Sequence, residues 1–146
     1  MQRERKYIDM IKLLVGVKGT GKTKTLIAAA NEALENSKGY VVCIEKGDKL
    51  THDITYKARL IDVEEYFVGD TQSLYGFVAG ILASNHDVTD LFIDSALKIC
   101  QNDAASFDAF LNELEALIKN HEEVNCVITS SLAVEEASDT VKKFIA

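Results

Sequence analysis

Eight consecutive residues carry most of the chemistry this sequence offers: Gly16-Val17-Lys18-Gly19-Thr20-Gly21-Lys22-Thr23, in the spacing GxxxxGK[ST]. Glycines let backbone N–H groups curve around an anion and let the anion come close. A segment with Leu26, Ile27, Ala30 and Leu34 at helical spacing opens at Lys22. Its unpaired N–H groups and positive dipole end point at the same anion. Lys22 is placed to reach β- and γ-phosphate oxygens, and the Thr23 hydroxyl to ligate Mg2+. Val17, Lys18, Gly19, Thr20, Gly21 and Lys24 complete the stretch expected to line a polyphosphate site. Glycine makes up ~7% of ordinary chains, so this pattern arises by chance in roughly one chain in 200. Context must therefore decide. The stretch follows the apolar run IKLLV and precedes a helix, which is the setting a phosphate loop requires.

The elements that would position these residues alternate between strand-like and helix-like. Residues 11–15, 40–44, 59–63, 90–93 and 124–128 read as strands, with Lys12 pointing outward. Residues 22–36 read as a helix, with Gly39 just past its end. A second helix is expected from a cap at Thr71, with Leu74, Phe77, Val78, Ile81 and Leu82 on one face. Within it Gly76 and Gly80 are expected to pack closely on a sheet. A third helix spans residues 104–120, with Phe107, Phe110, Leu111, Leu114, Leu117 and Ile118 inward and Glu113, Glu115 and Lys119 on a solvated face. Residues 133–146 read as a terminal helix, and residues 46–57 are polar and ambiguous. Strands alternating with helices imply parallel strands joined by crossovers. The expected fold is α/β: a single domain over residues 1–146, three-layered, doubly wound on a parallel sheet of about five strands.

The 146 residues suit one domain. Hydrophobic residues make up 47%, which indicates a folded chain. No apolar run approaches the ~20 residues that cross a bilayer, and MQRERKYIDM lacks the apolar middle of a secretory signal. A cytoplasmic protein without membrane association is expected. The net charge is −7, from 16 basic and 23 acidic residues. That balance disfavours nonspecific nucleic-acid binding. Cys43, Cys100 and Cys126 lie beside or within apolar runs and read as core residues, and neither they nor the scattered histidines suggest zinc.

GVKGTGKT resembles the Walker A motif of the P-loop NTPase superfamily, and LFID, residues 91–94, resembles Walker B. The resemblance implies that Asp94 holds Mg2+ through water. Two strand-like segments lie between the motifs, which is similar to the RecA-like branch. In that branch a further strand, here residues 124–130, lies between the P-loop strand and the Walker B strand. Its end carries a polar residue that senses the γ-phosphate. Thr129, Ser130 and Ser131 are then sensor candidates, or plain strand-end caps. The position after the Walker B aspartate is Ser95 rather than a glutamate. RecA-like recombinases carry their glutamate near the end of the strand after the first helix, here CIEKGD. Glu45 and Asp48 are therefore candidates for activating water, with Lys22 as the catalytic cation; either carboxylate also fits a polar strand end. At closer range, KGTGKTKTLI, RLIDVEEY and YGFVAGILASNHD…LFID resemble small single-domain bacterial proteins labelled as twitching-motility (PilT-like) ATPases. Pilus-retraction motors also have an additional N-terminal domain, histidine motifs and several arginines. These have no counterpart here, so only the fold and the nucleotide site carry over.

The expected function is binding of a nucleoside triphosphate, ATP by analogy with the branch, with Mg2+ and slow hydrolysis. The chain has only Arg3, Arg5 and Arg59, and an arginine finger can be worth 10³–10⁵ in rate. Arg59 or an N-terminal arginine could serve a neighbouring subunit. The alternative is a non-hydrolysing switch that reorders residues 46–57 for a protein partner or a second copy. A small-molecule kinase is disfavoured by the shortage of arginine, and a GTPase by the lack of [NT]KxD.

Overall fold

Val41, Val42, Cys43 and Ile44 are all buried, which only an interior strand covered on both faces permits. The computed structural model, which describes residues 10–55, 57–121 and 123–146, places them at the centre of a sheet. Five strands form it: β1 (Ile11–Gly16), β2 (Tyr40–Glu45), β3 (Arg59–Asp62), β4 (Val88–Ile93) and β5 (Asn125–Ser131). All pairings are parallel, and the order is β1-β5-β4-β2-β3. The strand near the C-terminus thus lies between β1 and β4, as expected. On the edge strand β1, Ile11 and Leu13 are buried while Lys12 is exposed.

Helix α1 (Lys22–Asn36) covers one face with the segment after β2. Its Leu26 and Ala30 pack with Val41, Cys43, Phe92, Leu50 and Ile54. Helices α2 (Thr71–Ser84), α4 (Ala104–Lys119) and α5 (Asp139–Phe144) are packed with the other face, where Val42, Ile44, Leu91 and Ile93 join Leu74, Phe110 and Phe144. Alternate β2 residues therefore serve opposite layers, the period of two that a pleated strand dictates. A short helix, α3 (Ala96–Ile99), follows β4 and was not anticipated.

Three expectations change. The cap of α2 is Asp70, whose carboxylate accepts from Ser73 N at 2.8 Å, while Thr71 donates to the Ser106 carbonyl. An ionised acceptor at the helix start outcompetes a neutral hydroxyl. Gly76 and Gly80 are exposed, and a Cβ on either would meet nothing within 4 Å, so they do not pack against the sheet. The terminal segment is not one helix. Ala137 is extended, Ser138 caps α5, and Ile145 then bridges to Leu13 of β1. The outer edge of β1 thereby gains partners, including Ala146 N to Leu13 O at 3.1 Å. Of the charges on α4, Glu115 is half-buried and pairs with Lys143 at 2.9 Å. Cys43, Cys100 and Cys126 are buried free thiols, and burial pushes Cys43 and Cys126 up to about 12.

Candidate functional site

The eight-residue stretch forms the turn from β1 into α1. Gly19 and Gly21 have φ of 90° and 86°, where a side chain is strained even though space is open. Gly16 is needed for room: a Cβ there would come within 2.6 Å of Thr20 Oγ1. Thr20 Oγ1 donates to the Val17 carbonyl at 2.9 Å, and Lys22 Nζ donates to the same carbonyl at 3.0 Å. The ammonium group thus lies across the loop.

The start of α1 is built against its own stability. Gly21 provides no side-chain cap, and the first turn has no acid but holds Lys22 and Lys24. Cations at this end oppose the helix dipole. By contrast Asp70, Asp103 and Ser138 cap α2, α4 and α5 with side-chain oxygens. An anion at the α1 start would reverse both penalties.

Opposite the loop, β5 brings Thr129 between β1 and the end of β4. Ile93 pairs with Ile128 and Leu14 with Thr129, so Thr129 sits beside Asp94. Asp94 is 3% exposed. Its Oδ1 accepts from Thr129 Oγ1 at 2.6 Å and from Thr23 Oγ1 at 3.1 Å. Thr129 Oγ1 in turn accepts from Ser95 N at 2.8 Å, and Ser130 Oγ accepts from Leu97 N at 3.3 Å. The two β5 residues thus hold the turn into α3, where Ser95 adopts φ 59°. Among the described residues the one ion pair is Lys143 with Glu115, and none of their cations pairs with Asp94.

Between these walls opens a cleft of about 560 Å³. Lys18, Lys22, Lys24, Lys49 and Lys98 line it, with Thr23, Ser95, Asn102, Thr129 and Ser131. Five lysines therefore converge on one cleft of a chain whose net charge is −7. Such a cleft attracts a polyanion, and Asp94 lies buried directly behind two of its lining residues, Thr23 and Thr129, hydrogen-bonded to both.

The cleft gathers most of the residues anticipated from sequence. Gly19, Gly21, Lys18, Lys22, Thr23, Lys24 and Thr129 line it, Asp94 is buried behind Thr23 and Thr129, and Val17 and Thr20 complete the loop. Ser130 is fully buried, accepts from the Leu97 amide and is not among the lining residues. Glu45 and Asp48 are not among the lining residues. Glu45 is 4% exposed, and both its oxygens accept from Leu50 N, at 3.2 and 3.1 Å. Burial raises its pKa, with Asp94 and Asp62 adding, against the lowering effect of the Leu50 and Lys49 amides. Asp48 is exposed at the start of the 3-10 turn Lys49–His52. Arg59 opens β3, at the end of that strand away from the cleft; Arg3 and Arg5 lie outside the described residues. Sequence reasoning missed Lys49, Lys98 and Asn102. Lys98 stands four residues after Asp94, a short helical turn away, and that spacing was the available signal. Lys49 lay in the stretch left ambiguous.

Among the described residues no group of three or more His, Cys, Asp or Glu side chains is placed to hold a metal, and no helix is long and apolar enough to cross a membrane. Compared with known proteins, the chain matches no protein-family model and no curated relative.

Proposed function

We propose that this chain is a P-loop protein of the RecA-like kind that binds a nucleoside triphosphate, ATP in the first instance, together with Mg2+, and hydrolyses it slowly. One observation carries the reading. The uncapped, lysine-bearing start of α1 faces a buried aspartate joined to it through Thr23, across a lysine-lined cleft. The loop amides and Lys22 would take the phosphates. Lys22 already spans the loop, so a phosphate oxygen would replace the Val17 carbonyl as its acceptor.

The residues present fit Mg2+. The donors are oxygens only, Thr23 Oγ1 and Asp94, and among the described residues no cation pairs with the Asp94 carboxylate. A single protein carboxylate is sufficient, because Mg2+ in such sites takes its other ligands from phosphates and water. When bound, the ion neutralises charge on the phosphate oxygens. Thr129, donating to Asp94, orients that carboxylate.

Slow turnover follows from what does not reach the cleft. Among the described residues no carboxylate lines it, Ser95 stands where a water-activating glutamate would be, and Glu45 is engaged with Leu50 N. The same engagement favours a second reading, a switch in which binding rather than hydrolysis does the work. Calorimetric titration with ATP, ADP, GTP and a non-hydrolysable ATP analogue, each with Mg2+, tests the first claim. Saturable binding that Lys22→Ala abolishes is expected. No binding of any triphosphate at millimolar concentration would refute it. Phosphate release above the Lys22→Ala background separates the ATPase from the switch.

A further inference from the structure

Lys49 reaches the cleft from the segment after β2 rather than from the glycine-rich turn, and three anchors fix where it stands. The first is Glu45. Its carboxylate does the capping that Asp48 does not, taking Leu50 N with both oxygens. The second is the Leu50 side chain, fully buried against α1 and β2. The third is Asp62 at the end of β3, which accepts from Gly47 N at 2.9 Å, while Gly47 supplies the turn with φ 105°. The segment between β2 and the 3-10 turn is thus tied on both sides of Lys49. The side chain itself is exposed on the cleft. An ammonium group held this way loses less freedom on meeting a ligand than one on a free loop.

Lys49 is also set apart from the loop lysines. Lys18, Lys22 and Lys24 belong to the stretch that would hold the β-phosphate, which di- and triphosphates share, and of these Lys22 also reaches toward the γ-phosphate. A cation that meets the γ-phosphate without holding the β-phosphate must come from another element. Arg59 lies at the far end of its strand, so within the described residues that charge falls to a lysine from another element. Of the two available, Lys98 rides on α3, one helical turn. Lys49 is the one whose backbone is secured by a buried carboxylate, and Glu45 follows Ile44, which pairs with Ile93 just before Asp94.

We infer that Lys49, positioned by Glu45, is the specificity-determining cation by which this chain favours a nucleoside triphosphate over the diphosphate. The inference rests on the nucleotide reading above and deepens it. Glu45 is here a positioning residue and does not touch the ligand.

The test is equilibrium binding of ATP and ADP, each with Mg2+, to the full chain and to Lys49→Ala, Lys49→Arg and Lys22→Ala. A charge-assisted contact is worth about 10- to 100-fold in affinity. Lys49→Ala is expected to lose about that much for ATP while ADP affinity stays within about twofold. Lys49→Arg keeps the charge and is expected to retain most of the preference. Glu45→Ala should lower the ATP:ADP ratio in the same direction and speed hydrogen exchange at the Leu50 amide without nucleotide. Because Lys49 is exposed, its variants should fold normally. An unchanged ATP:ADP ratio in Lys49→Ala, or equal losses for both nucleotides, overturns the inference while leaving the nucleotide reading intact. Failure of the wild-type chain to bind either nucleotide overturns both.

Discussion

Replacing Thr129 with valine removes a hydroxyl and almost nothing else. Valine matches threonine in shape and suits a strand equally well. Thr129 is 1% exposed and uses its hydroxyl twice, donating to Asp94 at 2.6 Å and accepting from Ser95 N at 2.8 Å. The valine variant leaves the Ser95 amide without this acceptor, which costs about 1–3 kcal/mol, and strips a charged acceptor of a bond worth about 1.5–3 kcal/mol. The two losses share one atom and will not add fully, so the expected loss is about 3 kcal/mol. That is a large share of the roughly 5–15 kcal/mol that holds a domain together, yet leaves it folded. At this chain length it corresponds to a fall in Tm of about 6–12 °C. Urea denaturation monitored by circular dichroism should show a lower midpoint at an unchanged slope. Thr129→Ser keeps both hydrogen bonds and loses a methyl group, at about 1 kcal/mol. A valine variant within about 0.5 kcal/mol of wild type would refute the reasoning, as would a serine variant equally damaged.

Glu45 has a folded-state pKa above its ordinary value, chiefly through burial. Its protonated form is therefore favoured by folding, and its contribution is lost as pH rises from the ordinary carboxylate range through the raised value. Wild type should accordingly lose stability relative to Glu45→Gln as pH rises above the ordinary carboxylate range, measured by urea midpoints at each pH; parallel profiles would contradict this. Gly39→Ala should cost about 1–3 kcal/mol or more, because a Cβ there would overlap the Asp87 carbonyl and the Thr89 methyl, and calorimetric melting reads the loss. Phe67 is 93% exposed with φ 59°, so Phe67→Gly should gain about 0.5–1 kcal/mol in chemical denaturation; a loss would mean the ring packs on something.

Legibility in the sequence followed the strength of local signals. The loop was readable because glycine and lysine at fixed spacing have few other reasons to occur together, and α1 begins and ends at the residues its periodicity marks. The all-parallel sheet followed from alternation, since short crossovers between unbroken apolar strands leave few other folds. Less was readable where one residue decides. Asp70 or Thr71 as a cap is a contest between neighbouring oxygens. The break at Ala137 and Ser138 interrupts a segment whose composition suits a helix throughout. Gly76 and Gly80 lie on the outer face of α2, and their spacing alone does not say which face of a helix meets the sheet. Lys49 and Lys98 were beyond local reasoning for a different reason. They are ordinary exposed lysines in their own elements and join the site only because parallel strands end on one side of the sheet.

The strand order explains why Thr129 matters. Neighbouring strands lie about 4.8 Å apart, so placing β5 between β1 and β4 puts about 9.6 Å between β1, which leads into the glycine-rich turn, and the strand that ends at Asp94. Thr23 spans part of that gap from the helix start, and Thr129 fills the middle with a hydroxyl that faces Asp94. A β5 ending in an apolar residue would leave a 3%-exposed carboxylate with one fewer donor, at a cost the fold would feel before any ligand arrived. The same geometry reconciles five cleft lysines with a net charge of −7. At physiological ionic strength charges are screened beyond about 8 Å, so the acidic remainder of the surface hardly opposes an anion already in the cleft. It opposes instead the nonspecific capture of long polyanions, whose many charges would have to lie along that acidic surface as well. On the reading proposed above, a short, densely charged ligand would escape this repulsion and a nucleic-acid backbone would not.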